Sequence, residues 1–164
     1  METALRLVTN WPGAAILQNL HPLIVHFPIA FLTSSTVVYV TAAVARRDQW
    51  AWLALWLLGF GVLGATVAVW TGLQADDSVM VAPSVREHIL DLHKRLMLVA
   101  WSLSLLSLVW AVVGRPLPRR GGLGFLLLLL VMNGILVRGA DYGGWMVFGY
   151  NAGGSLPQPI EFSQ

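Results

Sequence analysis

Apolar residues run along this chain in four long blocks separated by short polar breaks. Leu23 to Ala45 and Trp50 to Leu73 each pass without an Asp, Glu, Lys or Arg. Leu96 to Val113 is equally apolar, and a polar turn with helical spacing before it carries the third element back to His88. The fourth block starts at Gly122, reaches Val137 and runs on to Ala140. A bilayer is crossed by about 20 apolar residues in a helix, because a helix satisfies its own backbone groups in lipid. The pattern therefore predicts membrane helices over 23–45, 50–73, 88–113 and 122–140. The breaks are Arg46-Arg47-Asp48, the polar run Gln74 to Glu87 with Asp76, Asp77 and Pro83, and the stretch Gly114 to Gly121 with Pro116 and Pro118.

The fold class expected is all-α, an integral membrane four-helix bundle over residues 21–140. Residues 1–20 read as a short N-terminal interfacial segment. Trp11-Pro12 suits the membrane boundary, and with Arg6 as the one basic residue and no clean apolar core the segment does not resemble a cleaved signal. Residues 141–164 read as a Gly- and aromatic-rich C-terminal tail folding back on the membrane surface.

Composition narrows the class further. The 164 residues are 57% hydrophobic and 11% charged, with a mean hydropathy of +0.70, whereas soluble domains carry about 25% charge. So little charge does not cover a water-facing surface, and an ordinary soluble enzyme is excluded. Cysteine is absent, which removes disulfides, thiolate zinc sites, iron–sulfur clusters and covalent c-type haem. The net charge of +2 reads as topology rather than nucleic-acid binding.

Basic residues divide evenly between the two sides: Arg46, Arg47, Arg115, Arg119 and Arg120 on one, Arg6, Arg86, Lys94, Arg95 and Arg138 on the other. The first set is concentrated in two short connections, which favours that side as cytoplasmic. Both termini are then expected outside, in the periplasm of a bacterial inner membrane.

The four histidines carry the candidate chemistry. His21, His26, His88 and His93 all fall at the starts of spans one and three, which share a membrane side. In depth His21 matches His88, and His26 matches His93. Within each pair the five-residue step turns a helix by about 140° and raises it about 7.5 Å, so the members of a pair point differently. Ionisable groups inside a span are costly and mark functional sites. Imidazoles from facing helices of a bundle can hold a haem b on its two axial faces, or bind copper or zinc. The bland alternative is that His21 and His88 simply cap or hydrogen-bond at the boundary. Pro22 suits the first turn and would make His21 its cap. Pro28 cannot donate to the Ile24 carbonyl, which predicts a kink beside His26.

Arg86, Lys94, Arg95 and Arg138 lie at the same end and suit either haem propionates or lipid headgroups. Glu87 and Asp91 are candidates to orient the imidazoles. Gly59, Gly61, Gly64 and Gly72 in span two permit close helix approach or leave room for a macrocycle. Thr33-Ser34-Ser35-Thr36 and Asn133 are expected to hydrogen-bond within or between helices.

The stretch Leu20-His-Pro-Leu-Ile-Val-His-Phe-Pro-Ile-Ala30 resembles the opening signature, His-Pro-x-x-Val-His-Phe-Pro, of a bacterial four-span membrane family known as domain of unknown function 2231. The resemblance continues through Glu87-His88 and His93 to the closing segment Gly143-Gly-Trp-Met-Val-Phe-Gly-Tyr150, covering about residues 20 to 154. Asn151-Ala-Gly-Gly154 stands where the family tends to have a Gly-Val-Gly-like tail. Relatives joined to Rieske-type or cytochrome c-type modules imply a redox setting.

Together these readings favour a b-type haem electron-transfer protein or redox-complex subunit, with His21, His26, His88 and His93 as candidate ligands and Arg86 and Arg95 as candidate propionate partners. One haem is the simpler expectation. Two would have to occupy different sides of the bundle. Partners expected are a periplasmic or membrane redox protein, a quinone, the lipid bilayer and further subunits of a larger complex. A copper or zinc site, supported if all four histidines converge, and a cofactor-free structural or assembly subunit are the competing readings. Met80 and Met97 form no methionine-rich run, so copper transport is not indicated. No nucleophile–base set, phosphate loop or embedded carboxylate pair indicates an enzyme.

Overall fold

The computed structural model describes residues 20–76, 79, 81–118 and 122–152. The chain is all-α over those residues. Four helices are long and apolar enough to cross a membrane: α1 (His21–Ala45), α2 (Asp48–Ala75), α3 (Pro83–Gly114) and α4 (Gly122–Tyr150). The expected interfacial segment 1–20 lies outside the described residues except for Leu20, as do Met80, Arg119, Arg120 and residues 153–164.

Short connections make sequential helices neighbours. α1 packs on α2 and α3 on α4, while α2–α3 and α1–α4 contacts close the ring. The outside of this bundle is apolar, with Trp56, Phe60, Leu63, Val109, Val113 and Phe148 all exposed, as lipid requires.

One end of the bundle is filled. Tyr39 packs edge-on to Phe125 at 5.0 Å between ring centroids, and Trp110 meets Phe125 at 5.9 Å. The Tyr39 hydroxyl donates to the Pro116 carbonyl at 3.2 Å, tying α1 to the α3–α4 connection. Deeper in, Ser35, Thr36 and Asn133 hydrogen-bond as expected, while Thr33 and Ser34 are exposed. Ser35 Oγ donates to the Ala54 carbonyl of α2 at 2.9 Å. Asn133 Nδ2 of α4 donates to Thr36 Oγ1 of α1, whose own hydroxyl donates back to Leu32. Ser104 and Ser107 are fully buried and bond to α3's own carbonyls.

Small residues set how closely α1 and α2 approach. A Cβ on Gly61 would meet Leu32 Cδ2 at 2.7 Å and the Leu32 backbone N at 3.1 Å, and one on Gly64 would meet Pro28 Cδ at 3.3 Å. Close approach replaces a hydrophobic driving force, because lipid tails are as apolar as the helices. Gly61→Val is accordingly expected to destabilise the bundle by about 1–3 kcal/mol. Thermal unfolding in detergent checks this, with Gly59→Ala, which meets nothing within 4 Å, expected to unfold like the parent.

The helix boundaries depart from the sequence pattern in three places. α1 starts at His21 with Leu20 as its cap residue and Pro22 in its first turn. His21 is therefore a helical residue and not the cap, since its ring is engaged elsewhere. Regular helix is interrupted at Val25, within the turn that Pro28 leaves without its hydrogen bond. α3 begins at Pro83 rather than His88 and is π-helical over Arg86–Leu90, where the Asp91 N–H reaches back to the Arg86 carbonyl. α4 does not stop at Ala140 but continues to Tyr150, so residues 141–150 are helix and not a tail folded on the surface. Arg138 and Asp141 pair at 2.7 Å on its exposed face.

Candidate histidine cavity

The other end of the bundle is hollow. A cavity of about 380 Å3 opens between α1, α2, α3 and α4, walled mainly by Leu32, Ala65, Ala68, Met97, Leu136 and Met146. His21, His26 and His93 line it. His88 does not: it is exposed and faces a separate pocket beside Tyr142 and Trp145. The pairing by depth, His21 with His88 and His26 with His93, is therefore replaced by a group of three. The widened π turn shifts the register between His88 and His93, and Ile89 and Leu90 take the buried positions instead.

Two of the three cavity histidines are held by built seats. The His93 ring lies against Gly143, where an added Cβ would stand 3.0 Å from Cε1. Its Nδ1–H donates to the Gly139 carbonyl at 2.7 Å. A carbonyl only accepts, so Nδ1 carries the proton and Nε2 carries the lone pair of the neutral ring. His21 repeats the arrangement on α2. Its ring lies against Gly72, where a Cβ would stand 2.9 Å from Cε1, and its Nδ1 is 3.2 Å from Thr71 Oγ1. Thr71's hydroxyl lies 3.0 Å from the Val67 carbonyl and 3.1 Å from the Ala68 carbonyl, and the His21 ring also bonds the Ala68 backbone, so α2 holds this ring through more than one contact. His26 lines the cavity but is itself exposed.

The residues that hold the rings were not those expected. Glu87 is exposed and Asp91 lies 3.7 Å from Lys94, while Thr71 and the Gly139 carbonyl do the orienting. Thr71 gave no signal in the sequence. Gly139 and Gly143 did, since they form a small-xxx-small pair on one face of α4. A Cβ on Gly139 would collide with Met97, so this glycine brings α4 close enough for its carbonyl to reach His93.

Charge at this end is organised around Asp76. Its carboxylate accepts from Lys94 Nζ at 2.7 Å and Arg86 Nη1 at 3.2 Å. Arg86 Nη2 also bonds the Asp76 and Val79 carbonyls at 3.0 Å each. Arg86 thus pins the α2–α3 connection and does not line the cavity, and exposed Arg95 does not line it either. Lys94 and Asp76 do. Arg138 is engaged with Asp141 and with the Tyr142 hydroxyl. Trp101 lines the cavity with its Nε1–H donated to Thr66 at 3.0 Å.

Among the described residues no three His, Asp or Glu side chains are arranged to hold one metal ion. The convergence of all four histidines that would support a copper or zinc cage is not formed.

The family model described as "Predicted membrane protein (DUF2231)" matches residues 17–155. Neither a curated protein nor a solved structure matches the chain.

Proposed function

From a chain that belongs to the DUF2231 family of predicted membrane proteins, we propose a membrane-embedded electron-transfer protein that holds one haem b, ligated by His21 of α1 and His93 of α3. The observation that carries this reading is the pair of imidazoles, each seated on a glycine and each fixed through Nδ1, facing one apolar cavity.

The cavity's residues fit the group. Gly72 and Gly143 let the two rings lie close against helix backbone, where a side chain would otherwise take up cavity space. Protonated Nδ1 on His93 makes its Nε2 the ligating atom, and the bond from Nδ1–H to the Gly139 carbonyl raises its basicity. Lys94, on the cavity wall with Asp76, offers an ammonium to an anionic edge. Most of the wall is aliphatic. Haem b supplies a one-electron iron couple when bound, and two histidine ligands leave that iron no open position for oxygen chemistry. His26 stands beside the ligand pair, and His88 lies apart, so the arrangement favours one haem over two. The electron partner is a periplasmic or membrane redox protein or a companion subunit, with the histidine end of the bundle facing the periplasm of a bacterial inner membrane.

The test is a dithionite-reduced minus oxidised visible spectrum of the detergent-purified chain, repeated under carbon monoxide. A b-type spectrum unmoved by carbon monoxide is expected. A carbon-monoxide-sensitive haem would contradict two histidine ligands, and a chain without haem after expression with ample haem would contradict the proposal itself.

A further inference from the structure

The second pocket, between α3 and α4 beside the histidine cavity, is used by nothing described so far. It measures about 380 Å3 and is lined by Ser84, His88, Ile89, Tyr142, Trp145 and Tyr150. Three aromatic rings form its wall: Tyr142 and Trp145 at 6.4 Å between centroids, Trp145 and Tyr150 at 6.0 Å. Such a wall stacks a flat ring. The pocket also carries a fixed hydrogen-bond acceptor and a fixed donor. His88 Nδ1–H donates to the Ser84 carbonyl at 2.9 Å, so Nε2 is the ring's acceptor. Tyr142 Oη accepts from Arg138 Nη2 at 3.0 Å and keeps its own proton to give.

This pocket backs directly onto the histidine cavity. Ile89 lines the one and Leu90 the other. On α4, Tyr142 and Trp145 face the aromatic pocket while Gly143, Gly144 and Met146 face the cavity.

We propose that this pocket binds the head group of a membrane quinone. The ring stacks on the aromatic wall, a quinol hydroxyl donates to His88 Nε2, and a ring oxygen accepts from the Tyr142 hydroxyl. That the bound quinol is the electron partner of the neighbouring cavity rests on the haem reading above, whereas the binding site does not.

The experiment is photolabelling of the detergent-purified full chain with an azido derivative of a short-chain ubiquinone, mapped by mass spectrometry, with haem scored on the same sample. Label on Tyr142, Trp145 or Tyr150, displaced by decylubiquinone, is the expected result. Loss of one hydrogen bond weakens binding about five- to tenfold. The oxidised probe accepts from Tyr142 but has no hydroxyl to give His88 Nε2, so the shape-conserving Tyr142→Phe should lower labelling by about that factor, and His88→Ala should weaken displacement by the reduced quinol by a similar one. Label spread evenly over the lipid-facing surface, label within the histidine cavity, indifference to Tyr142→Phe, or displacement by a phosphocholine head group would each overturn the proposal. Specific label on a haem-free chain overturns the haem reading alone, and haem without specific label overturns this one alone.

Discussion

His93→Ala is expected to strip haem b from the purified chain, lowering the haem-to-chain ratio well over tenfold while the protein remains inserted and folded. Losing an outer hydrogen-bond partner of a ligand already costs about 10–100-fold in affinity, and here the ligand itself is removed. The bundle survives because His93 contributes one hydrogen bond, to Gly139, whereas the packed end around Tyr39, Phe125 and Trp110 is untouched. His21→Ala should act similarly, through α2 rather than α4. His88→Ala should leave haem unchanged, since His88 lines a different pocket. His26→Ala should retain most of it, since that ring has neither a glycine seat nor a Thr71-like partner assigned to it. Haem quantified against protein in all four variants checks the pattern. Stoichiometric haem in the double variant His21→Ala/His93→Ala would sink the ligand assignment.

Gly143→Val should reproduce much of that loss without touching a ligand. The first added carbon would stand 3.0 Å from His93 Cε1 and 3.4 Å from its Nδ1, so the ring must give by a few tenths of an ångström, and valine's two further carbons press on it more. Moving it lengthens the bond to the Gly139 carbonyl and turns Nε2 away from the cavity. A fall in haem of about tenfold or more is expected, in the range that follows loss of a ligand's outer support. Gly134→Ala, on the same helix with nothing within 4 Å of the added carbon, should bind haem like the parent. Equal haem in the Gly143 and Gly134 variants would show that the seat has no role.

The four spans were legible because lipid imposes one strong rule, long runs of apolar residues between charged breaks. Their ends were less so. Charges at Arg138 and Asp141 read as the end of a span, yet α4 runs through them to Tyr150 with the two paired at 2.7 Å on its exposed face. The histidines were legible as a group at one end, because ionisable residues are rare in spans. Which of them share a cavity was not, because that depends on the π-helical turn at Arg86–Leu90, which no periodicity announces. Nor did residue type reveal that Asp76 draws in Arg86 and Lys94. Acidic residues of the α2–α3 connection read only as a polar break until folding set them beside the basic residues of α3. The glycine seats lay between these cases. Gly72 was visible as a small residue suited to close approach, but what approaches it is the His21 ring, a tertiary fact.

The measurement that bears most directly on the central claim is pyridine haemochrome quantitation of the detergent-purified chain after expression with ample haem. One haem b per chain is the predicted result. A chain that is folded and monodisperse yet carries no haem would contradict the account and leave the cavity's two seated histidines to a different guest.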